Sequence, residues 1–290
     1  MSLFLAALGF GLVTAAVLTI AAVGFTLQFA VTDVLNLAFG GVMIVSAYAA
    51  YAINRAGFSV WIGLVVAAVA GSVLSVALNR FVYTPFQRRG TSPIALVIVS
   101  LGMTLILEFG LQAYVGGSSV SYQMNTGSTL KFAGLQLSLV QLLIILLAIV
   151  VMLFIHGLLR YTRLGKAMRA TAANRSLARN SGIRTDRVVT ATWVISGALA
   201  GIGGTVFAID SGSFGATSTD LFLVLILAAV FLGGPGQAYG AMLGALIIGL
   251  GTEVSAVWIT PAYKDVVAFV LLLGMLALRP TGLMGVRERS

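Results

Sequence analysis

The sequence has no cysteine and very little charge. Without cysteine there is no disulfide framework, no thiolate nucleophile and no cysteine-ligated metal. The single histidine, His156, cannot build a multi-histidine metal site. Only 9% of the 290 residues are charged, whereas 59% are hydrophobic, and the mean hydropathy is +1.07. A surface of this composition does not stay in water, which excludes a soluble domain of this size and indicates a polytopic membrane protein.

Long apolar runs make up most of the chain. A helix needs about 20 apolar residues to cross a bilayer. We predict an all-α, polytopic transmembrane helix bundle, a single domain over 1–290, with nine crossing segments, some discontinuous, or eight if the short run at 221–233 is re-entrant. The candidate spans are 3–31, 34–53, 59–79, 93–115, 138–159, 188–209, 221–233, 237–257 and 264–279. The opening letters MSLFLAALGF lack a basic stretch and a cleavage signature, so we expect a first span rather than a removable signal.

Positive charge is concentrated in three segments, 80–92, 160–187 and 279–290, which hold fourteen of the seventeen cations. If all three are cytoplasmic, the positive-inside rule is met and every connection alternates correctly. The N-terminus is then outside and the C-terminus is cytoplasmic. Because the cations follow topology rather than one soluble face, the net charge of +9 does not indicate nucleic-acid binding.

The loops carry no catalytic module. The longest outer loop, 116–137, is small, polar and too short for a domain. The stretch RLGKAM at 163–168 contains a Gly-Lys pair, but Ala167 follows where a phosphate-binding loop needs Ser or Thr. We therefore expect no enzyme, no metal site and no cofactor in this chain.

Glycine, proline and polar residues interrupt the apolar pattern at two places. Asp33, Asn36 and the pair Gly40–Gly41 open one span, and 233–236 reads Gly-Gly-Pro-Gly before a later one. Backbone freed from a helix inside a membrane must be buried in protein or line a wet cavity, and interruptions in both halves indicate a transporter. Close helix packing is the alternative where glycine recurs every fourth residue. These glycines are Gly236, Gly240 and Gly244, and Gly197 and Gly201.

One span carries polar residues at near-helical spacing, which predicts a polar stripe on a single face. Together with the first interruption it forms the predicted substrate pathway. The pathway residues are Asn36, Gly40, Gly41, Ser100, Thr104, Glu108 and Gln112. Glu108 and Glu253 are ionisable groups inside spans, which makes them functional candidates, although a solvated carboxylate near the interface is the commoner case.

The basic segment 163–187 contains seven cations and one acid, Asp186. Its part RATAANRSLARNSGI predicts a short helix that stops at Ser181–Gly182, where glycine suits a left-handed cap. Arg175 and Arg179 are four residues apart, so they lie side by side and form an unpaired basic edge. A topology anchor that attracts anionic lipid accounts for the charge alone. A helix that docks in an acidic groove of a partner protein accounts for the charge and the pattern.

Six stretches together resemble one family. They are VLNLAFGGVMIVSAYAAY, TPFQRRGTSPIALVIVSLGMTLILE, LGKAMRATAANRSLARNSGIRTDRV, ISGALAGIGG, FLGGPGQAYGAMLGALIIGLGTE and LRPTGLMG. In this order they resemble permeases of bacterial ABC importers of the branched-chain amino acid type. The length of the chain resembles that of the smaller of the two permeases that such systems pair.

The resemblance implies that the chain, in the bacterial inner membrane, moves branched-chain or other small amino acids, or related small solutes, into the cytoplasm by alternating access. It implies a second homologous permease subunit, two cytoplasmic ABC ATPase subunits that bind the ATP, and a periplasmic or lipid-anchored solute-binding protein. It also makes Ala172–Ser181 the coupling helix. The implied coupling residues are Ala172, Ala173, Arg175, Leu177, Arg179 and Gly182.

Three positions in two stretches depart from the family pattern. Phe39 stands where relatives commonly have histidine, and Pro235 and Gln237 replace an apolar residue and a serine. Relatives of this type also move other amino acids, urea or short amides, and aromatic acids. The alternative function that the residues leave open is an ion-coupled secondary transporter that uses Glu108 or Glu253 for proton coupling.

Overall fold

A computed structural model describes residues 2–124, 129–132, 135–260, 263–279 and 281–285 of the chain. Most of these residues are helical. The α-helices are α1 (Ser2–Thr32), α2 (Ala38–Arg55), α3 (Val60–Leu78), α4 (Thr84–Arg88), α5 (Pro93–Val115), α6 (Leu139–Tyr161), α7 (Arg163–Ala173), α8 (Arg175–Asn180), α9 (Thr185–Ser211), α10 (Thr219–Gly233), α11 (Ala238–Ser255) and α12 (Lys264–Leu278). Two short strands, β1 (Thr129–Phe132) and β2 (Leu135–Ser138), pair in antiparallel fashion.

Each of the nine predicted apolar runs coincides with a helix, which confirms the all-α class. Within the described ranges, six helical segments are long and apolar enough to cross a bilayer. They are Phe4–Thr32, Val60–Arg88, Pro93–Val115, Leu139–Tyr161, Thr185–Ser211 and Ala238–Ser255. The helices α10 and 266–278 are apolar but shorter, and α2 ends on the polar pair Asn54–Arg55. The predicted count of eight or nine crossings therefore exceeds the six segments that meet this criterion.

Helices α1 and α9 form the centre of the bundle. More than half of the most apolar stretch of each is buried, whereas α5 and α6 bury less than a third of theirs. Helix α1 packs against α11, α9 and α6, and α9 also packs against α3 and α2. The peripheral helices thus turn apolar faces outward, as expected where lipid covers the surface.

Glycine allows neighbouring helices to approach closely. A Cβ atom at Gly201 would lie 2.0 Å from the carbonyl oxygen of Ala67, and one at Gly244 would lie 2.0 Å from that of Ala229. Gly197 and Gly240 meet the facing backbone in the same way. The packing interpretation is thus confirmed for these four residues. Gly236 instead adopts a left-handed φ of +81° in the turn before α11.

Helix α3 continues beyond its predicted end through a π-turn, Asn79–Tyr83, into α4. The prediction ended this span at residue 79, because the cations that follow indicate a loop. A π-turn holds one more residue per turn than an α-helix and changes the direction of the side chains around it. Here Arg80 is exposed, whereas Tyr83 points into the core and is fully buried.

Two of the motifs that carry the family resemblance meet at the end of α10. The backbone N–H groups of Leu283 and Met284 donate to the carbonyls of Leu232 and Gly233, each at 2.9 Å. Gly234, with φ +108°, follows directly, and a Cβ atom there would lie 2.8 Å from the backbone of this segment. These bonds satisfy carbonyl groups that the end of a helix leaves free.

The contact between Gly201 and α3 gives a stability prediction. We expect Gly201→Ala to lower the free energy of unfolding by about 1–3 kcal/mol, because the added methyl group overpacks a backbone contact. The matched control is Gly102→Ala, where no atom lies within 4 Å of the added Cβ. Thermal unfolding of the two variants in detergent measures the difference. Equal stability of the two variants would contradict the assigned packing.

Candidate functional site

The candidate site is built around the break between α1 and α2. The backbone leaves α1 at Asp33, whose φ of +56° is unusual for a residue other than glycine. Ser100 of α5 satisfies part of the opened backbone. Its Oγ accepts the N–H of Leu37 at 3.1 Å and lies 3.3 Å from the carbonyl oxygen of Leu35 and 2.7 Å from that of Val97, to which it can donate. A predicted pathway residue therefore fixes the geometry of the break.

Asn36 lies within the break and is completely enclosed. Its Oδ1 accepts the hydroxyl of Tyr83 at 2.5 Å, and its Nδ2 donates to Gln28 Oε1 at 3.4 Å. The same Gln28 oxygen accepts the hydroxyl of Ser196 at 3.1 Å. We call Gln28, Asn36, Tyr83 and Ser196 the buried polar network. It joins α1, the break, the π-turn and α9.

Two donors at the buried polar network have no acceptor among the described residues. They are Gln28 Nε2 and the indole Nε1 of Trp193. The Trp193 ring stacks on Tyr83, with ring centroids 5.1 Å apart and an interplanar angle of 30°. A buried donor without an acceptor raises the free energy of a conformation, so this network has a reason to rearrange.

The four polar residues of α5 lie along one helix face, as their spacing predicts. Ser100, Thr104 and Glu108 are buried, and Gln112, one turn later, is partly buried. The opposite face carries large exposed apolar side chains. These include Ile94, Ile98, Leu101, Leu105 and Phe109. Helix α5 thus turns its polar face towards the protein and its apolar face outward.

Glu108 is only 2% exposed, so it is not the solvated interfacial carboxylate of the commoner case. Its Oε1 has no hydrogen-bond partner within the described part of the chain. The acidic group beside it is Asp220, in the first turn of α10. Sequence reasoning missed Asp220. The available signal was a lone acid at the start of an apolar run.

The pair Gly40–Gly41 brings α5 and α10 together at this point. A Cβ atom at Gly41 would lie 3.0 Å from the side chain of Leu107, which precedes Glu108. On the other side, the hydroxyl of Thr219, which precedes Asp220, donates to the carbonyl of Gly40 at 3.1 Å. Leu107 and Thr219 thus contact neighbouring glycines of α2, and each of them directly precedes one of the two acids.

Glu108 is at about mid-height of the bundle and buried, whereas the Asp220 side chain is exposed at the surface of the chain. A Cβ atom at Gly71, close to the centre of the segment Val60–Arg88, would lie 3.0 Å from the hydroxyl of Ser46. Ser46 is five residues from Gly41 along α2, which corresponds to about 7.5 Å of helix. A position so deep in a membrane makes a carboxyl group a functional candidate.

None of the three positions that depart from the family pattern lies on the polar face of α5, and Pro235 lies in the turn between α10 and α11. Phe39 is buried in the core and meets Phe25 edge-on, with ring centroids 5.6 Å apart. Gln237 lines a small cavity of 120 Å³ together with Met168 and Ala172 of α7. The aromatic side chain at position 39 thus serves packing between α1 and α2.

The other ionisable groups singled out by the sequence connect helices. Glu253 forms an ion pair with Lys264, with 2.6 Å between Oε2 and Nζ, and accepts the hydroxyl of Thr14 at 3.4 Å. The Nδ1 atom of His156 lies 3.0 Å from the hydroxyl of Tyr239, which links α6 to α11. These contacts give both residues a structural role.

The predicted coupling helix Ala172–Ser181 is wrong as a single helix. The chain forms two helices, α7 and α8, because Asn174 between them is extended, with φ −161° and ψ 106°. The side-chain Oδ1 of Asn174 accepts the N–H of Leu177 at 2.9 Å and thereby caps α8. Ala172 and Ala173 end α7, and the other predicted coupling residues lie in or directly after α8. Gly182, with φ +84°, follows the end of α8 as predicted.

The predicted unpaired basic edge is also wrong. Arg175 and Arg179 both face Asp186 Oδ1, at 3.6 Å and 3.4 Å, because the turn after α8 returns the chain to the first turn of α9. All three side chains are largely exposed, so these ion pairs contribute little stability. Leu177 is 63% exposed on α8 and offers an apolar contact between the arginines.

Comparison with known proteins identifies the family. Residues 7–276 match the family model described as the permease component of a branched-chain amino acid transport system. The chain belongs to this family. A permease works in a membrane, which agrees with the six described segments that are long and apolar enough to cross one.

Several relatives of the permease align over almost its whole length. The branched-chain amino acid permease LivH of Escherichia coli K12 is 29% identical over 91% of this chain and 90% of its own. The probable LivH of Methanocaldococcus jannaschii is 30% identical over 93% and 89%. The galactofuranose permease YtfT of E. coli K12 is 30% identical over 95% and 81%. No solved structure matches the chain significantly.

The hydrogen bond between Tyr83 and Asn36 predicts a loss of stability when the Tyr83 hydroxyl is removed. Tyr83→Phe leaves a buried amide oxygen without its donor, so we expect the permease to lose about 1–3 kcal/mol of stability. Unfolding in detergent followed by tryptophan fluorescence measures this loss. The control is Tyr114→Phe, because Tyr114 is 91% exposed. Equal stability of the two variants would show that this hydrogen bond does not stabilise the fold.

Proposed function

We propose that the chain is the transmembrane permease subunit of an ATP-binding-cassette importer that moves a small amino acid into the cytoplasm. The observation that carries this proposal is the family match over residues 7–276. Since the sequence contains no phosphate-binding loop, partner subunits must bind the ATP. The proposed partners are a second homologous permease, two cytoplasmic ABC ATPase subunits and a periplasmic or lipid-anchored solute-binding protein.

In the proposed topology the chain lies in the bacterial inner membrane and crosses it nine times. The N-terminus is outside and the C-terminus is cytoplasmic. The grouping of the loops supports this arrangement. Asn54 bonds to the backbone of Gln123, and Val120 pairs with Phe214, so three loops that carry few cations meet at one end. The segments around α4 and α8 enclose one cavity at the basic end.

The short helix α10 is the second half of a discontinuous crossing in this topology. Phe214 pairs with the loop residue Val120 at the end away from the basic segments. Five residues later, Thr219 already contacts Gly40 within the bundle, and α10 then runs 15 residues to Gly233. In this topology an irregular stretch that contains turns and the helix of about 22 Å that follows it span the membrane together. Irregular backbone at this depth is tolerated where it is enclosed by protein or lines a cavity.

Coupling to the ATPase subunits is assigned to α8 and the adjoining end of α7. Leu177 supplies an apolar contact, and Arg175 and Arg179 supply the charge for an acidic groove. Asp186, the partner of both arginines, belongs to α9, and the same helix carries Trp193 and Ser196 at the buried polar network. Displacement of α8 by closing ATPases would thus act on α9 and through it on the break between α1 and α2.

This coupling can be tested by co-purification. We expect Leu177→Asp, and separately Arg175→Glu with Arg179→Glu, to reduce the recovered ATPase at least tenfold, because central contacts dominate interface energy. Arg160→Glu is the control, since it changes a cation at the same end outside α8. The chain is purified with its partners from native membranes, and the ATPase is quantified. Undiminished ATPase recovery with both variants would leave α8 as a lipid-binding anchor.

An amino acid is the favoured substrate because two carboxyl groups lie beside the proposed pathway. Glu108 and Asp220 can accept the ammonium group of an amino acid, whereas a sugar carries no cation. Asn36, Gly40, Gly41, Ser100, Thr104 and Gln112 complete the proposed pathway set. The side chain of the solute then lies along apolar surface, which suits branched-chain amino acids.

We expect Glu108→Gln and Asp220→Asn each to reduce ATP-driven leucine uptake into vesicles about tenfold or more, the effect of losing one charge-assisted bond. The control is Asp210→Asn, which changes a carboxyl group near the C-terminal end of α9, outside the proposed pathway set. Full uptake by both pathway variants would refute the carboxylate assignment. Uptake without the ATPases, with a pH dependence that Glu108→Gln abolishes, would instead favour the ion-coupled transporter.

A further inference from the structure

A large cavity opens at the basic end of the bundle. Its volume is about 670 Å³, and it lies between the π-turn with α4 on one side and α8 with the first turns of α9 on the other. Four arginines and one acid line it. They are Arg80, Arg88, Arg175, Arg179 and Asp186. Asn79, Gln87 and Thr190 add neutral polar groups to the wall.

The charge of this cavity is unbalanced. Arg175 and Arg179 share the one acid, Asp186. Within the described part of the chain, neither Arg80 nor Arg88 forms an ion pair. Four guanidinium groups against one carboxylate leave an excess of three positive charges on a shared space. Such an arrangement is stabilised by an anion that accepts from several of these groups at once.

One wall of the cavity is apolar and continues onto the outer surface of the bundle. Val76 of α3 and Val189 of α9 line the cavity itself. One turn or so further along the same helices, Val73 and Val194 are exposed, and Phe81 of the π-turn is 74% exposed. In a membrane these side chains face acyl chains. A ligand with an anionic head and an apolar tail therefore matches both parts of the surface.

We propose that this cavity binds a phosphate group. Guanidinium groups donate two parallel hydrogen bonds to phosphate oxygens, and basic pockets between helices at the cytoplasmic face suit anionic lipid headgroups. The phosphate belongs to an anionic phospholipid or to free phosphate, and the apolar wall favours the lipid. Bound there, it joins Arg80 and Arg88 to Arg175 and Arg179 and holds α8 against α4. This proposal stands whether or not the solute is an amino acid.

The test compares the purified chain with the double variant Arg80→Gln/Arg88→Gln. The control is Arg160→Gln/Arg163→Gln, which removes two cations at the same end that do not line the cavity. One arm reconstitutes each protein in discs of phosphatidylcholine with added phosphatidylglycerol and counts the lipids retained by native mass spectrometry. The other arm titrates inorganic phosphate into discs of phosphatidylcholine alone and follows binding by calorimetry.

We expect wild type and control to retain a phosphatidylglycerol that the cavity variant binds at least tenfold more weakly. Saturable inorganic phosphate binding that only the cavity variant loses would make free phosphate the ligand. Arg80→Lys/Arg88→Lys keeps the charge but loses the paired hydrogen bonds, so we expect intermediate binding and an unchanged unfolding temperature. Equal binding of both probes by the cavity variant and wild type would overturn the proposal. If the cavity variant bound both probes like wild type but recovered less ATPase in the co-purification experiment, the proposal would also be overturned, because the cavity would then belong to the docking surface.

Discussion

The backbone that opens between α1 and α2 must find its hydrogen-bond partners inside the protein, because lipid offers none. Ser100 provides them at one side of the break, and Asn36 anchors the other through Tyr83 and Gln28. The positions of α5, the π-turn and α1 are therefore fixed by one short stretch of irregular chain. The glycine pair that follows can then bring α5 and α10 against the same helix.

The same constraint connects the interior to the basic end. Tyr83 is a buried residue of the π-turn, and Arg80 of the same turn lines the cavity at the basic end. Helix α9 starts at the partner of the α8 arginines and carries Ser196 into the buried polar network. Two separate routes thus lead from the proposed docking face to the break. Because Gln28 Nε2 and Trp193 Nε1 find no acceptor among the described residues, this conformation of the network is less stable than a fully bonded one.

Sequence patterns predicted what depends on local periodicity. The apolar runs became helices, the spacing of Ser100, Thr104 and Glu108 placed them on one face, and Gly182 follows the end of α8. These features follow from the period of the helix and from the conformational freedom of glycine. The close-packed glycines could also be predicted, because they recur every fourth residue.

What the sequence did not predict depends on partners that are distant along the chain or on competing local bonds. Asn174 looked like one more residue of an alanine-rich helix, but its side chain caps α8 and divides the segment. Asp186 looked too far from Arg175 to neutralise it until the turn brought them together. Asp220 could be recognised as a site candidate only from its position beside Glu108, which lies more than a hundred residues earlier in the sequence. Such pairings require the tertiary structure.

The backbone pairing of residues 283 and 284 with the end of α10 has a consequence for biosynthesis. The partners Leu232 and Gly233 enter the membrane some fifty residues earlier than Leu283 and Met284. During translation the carbonyls of Leu232 and Gly233 therefore lack these two donors until the later segment has been synthesised. The order of synthesis therefore places this pairing after α10, α11 and α12 have been made.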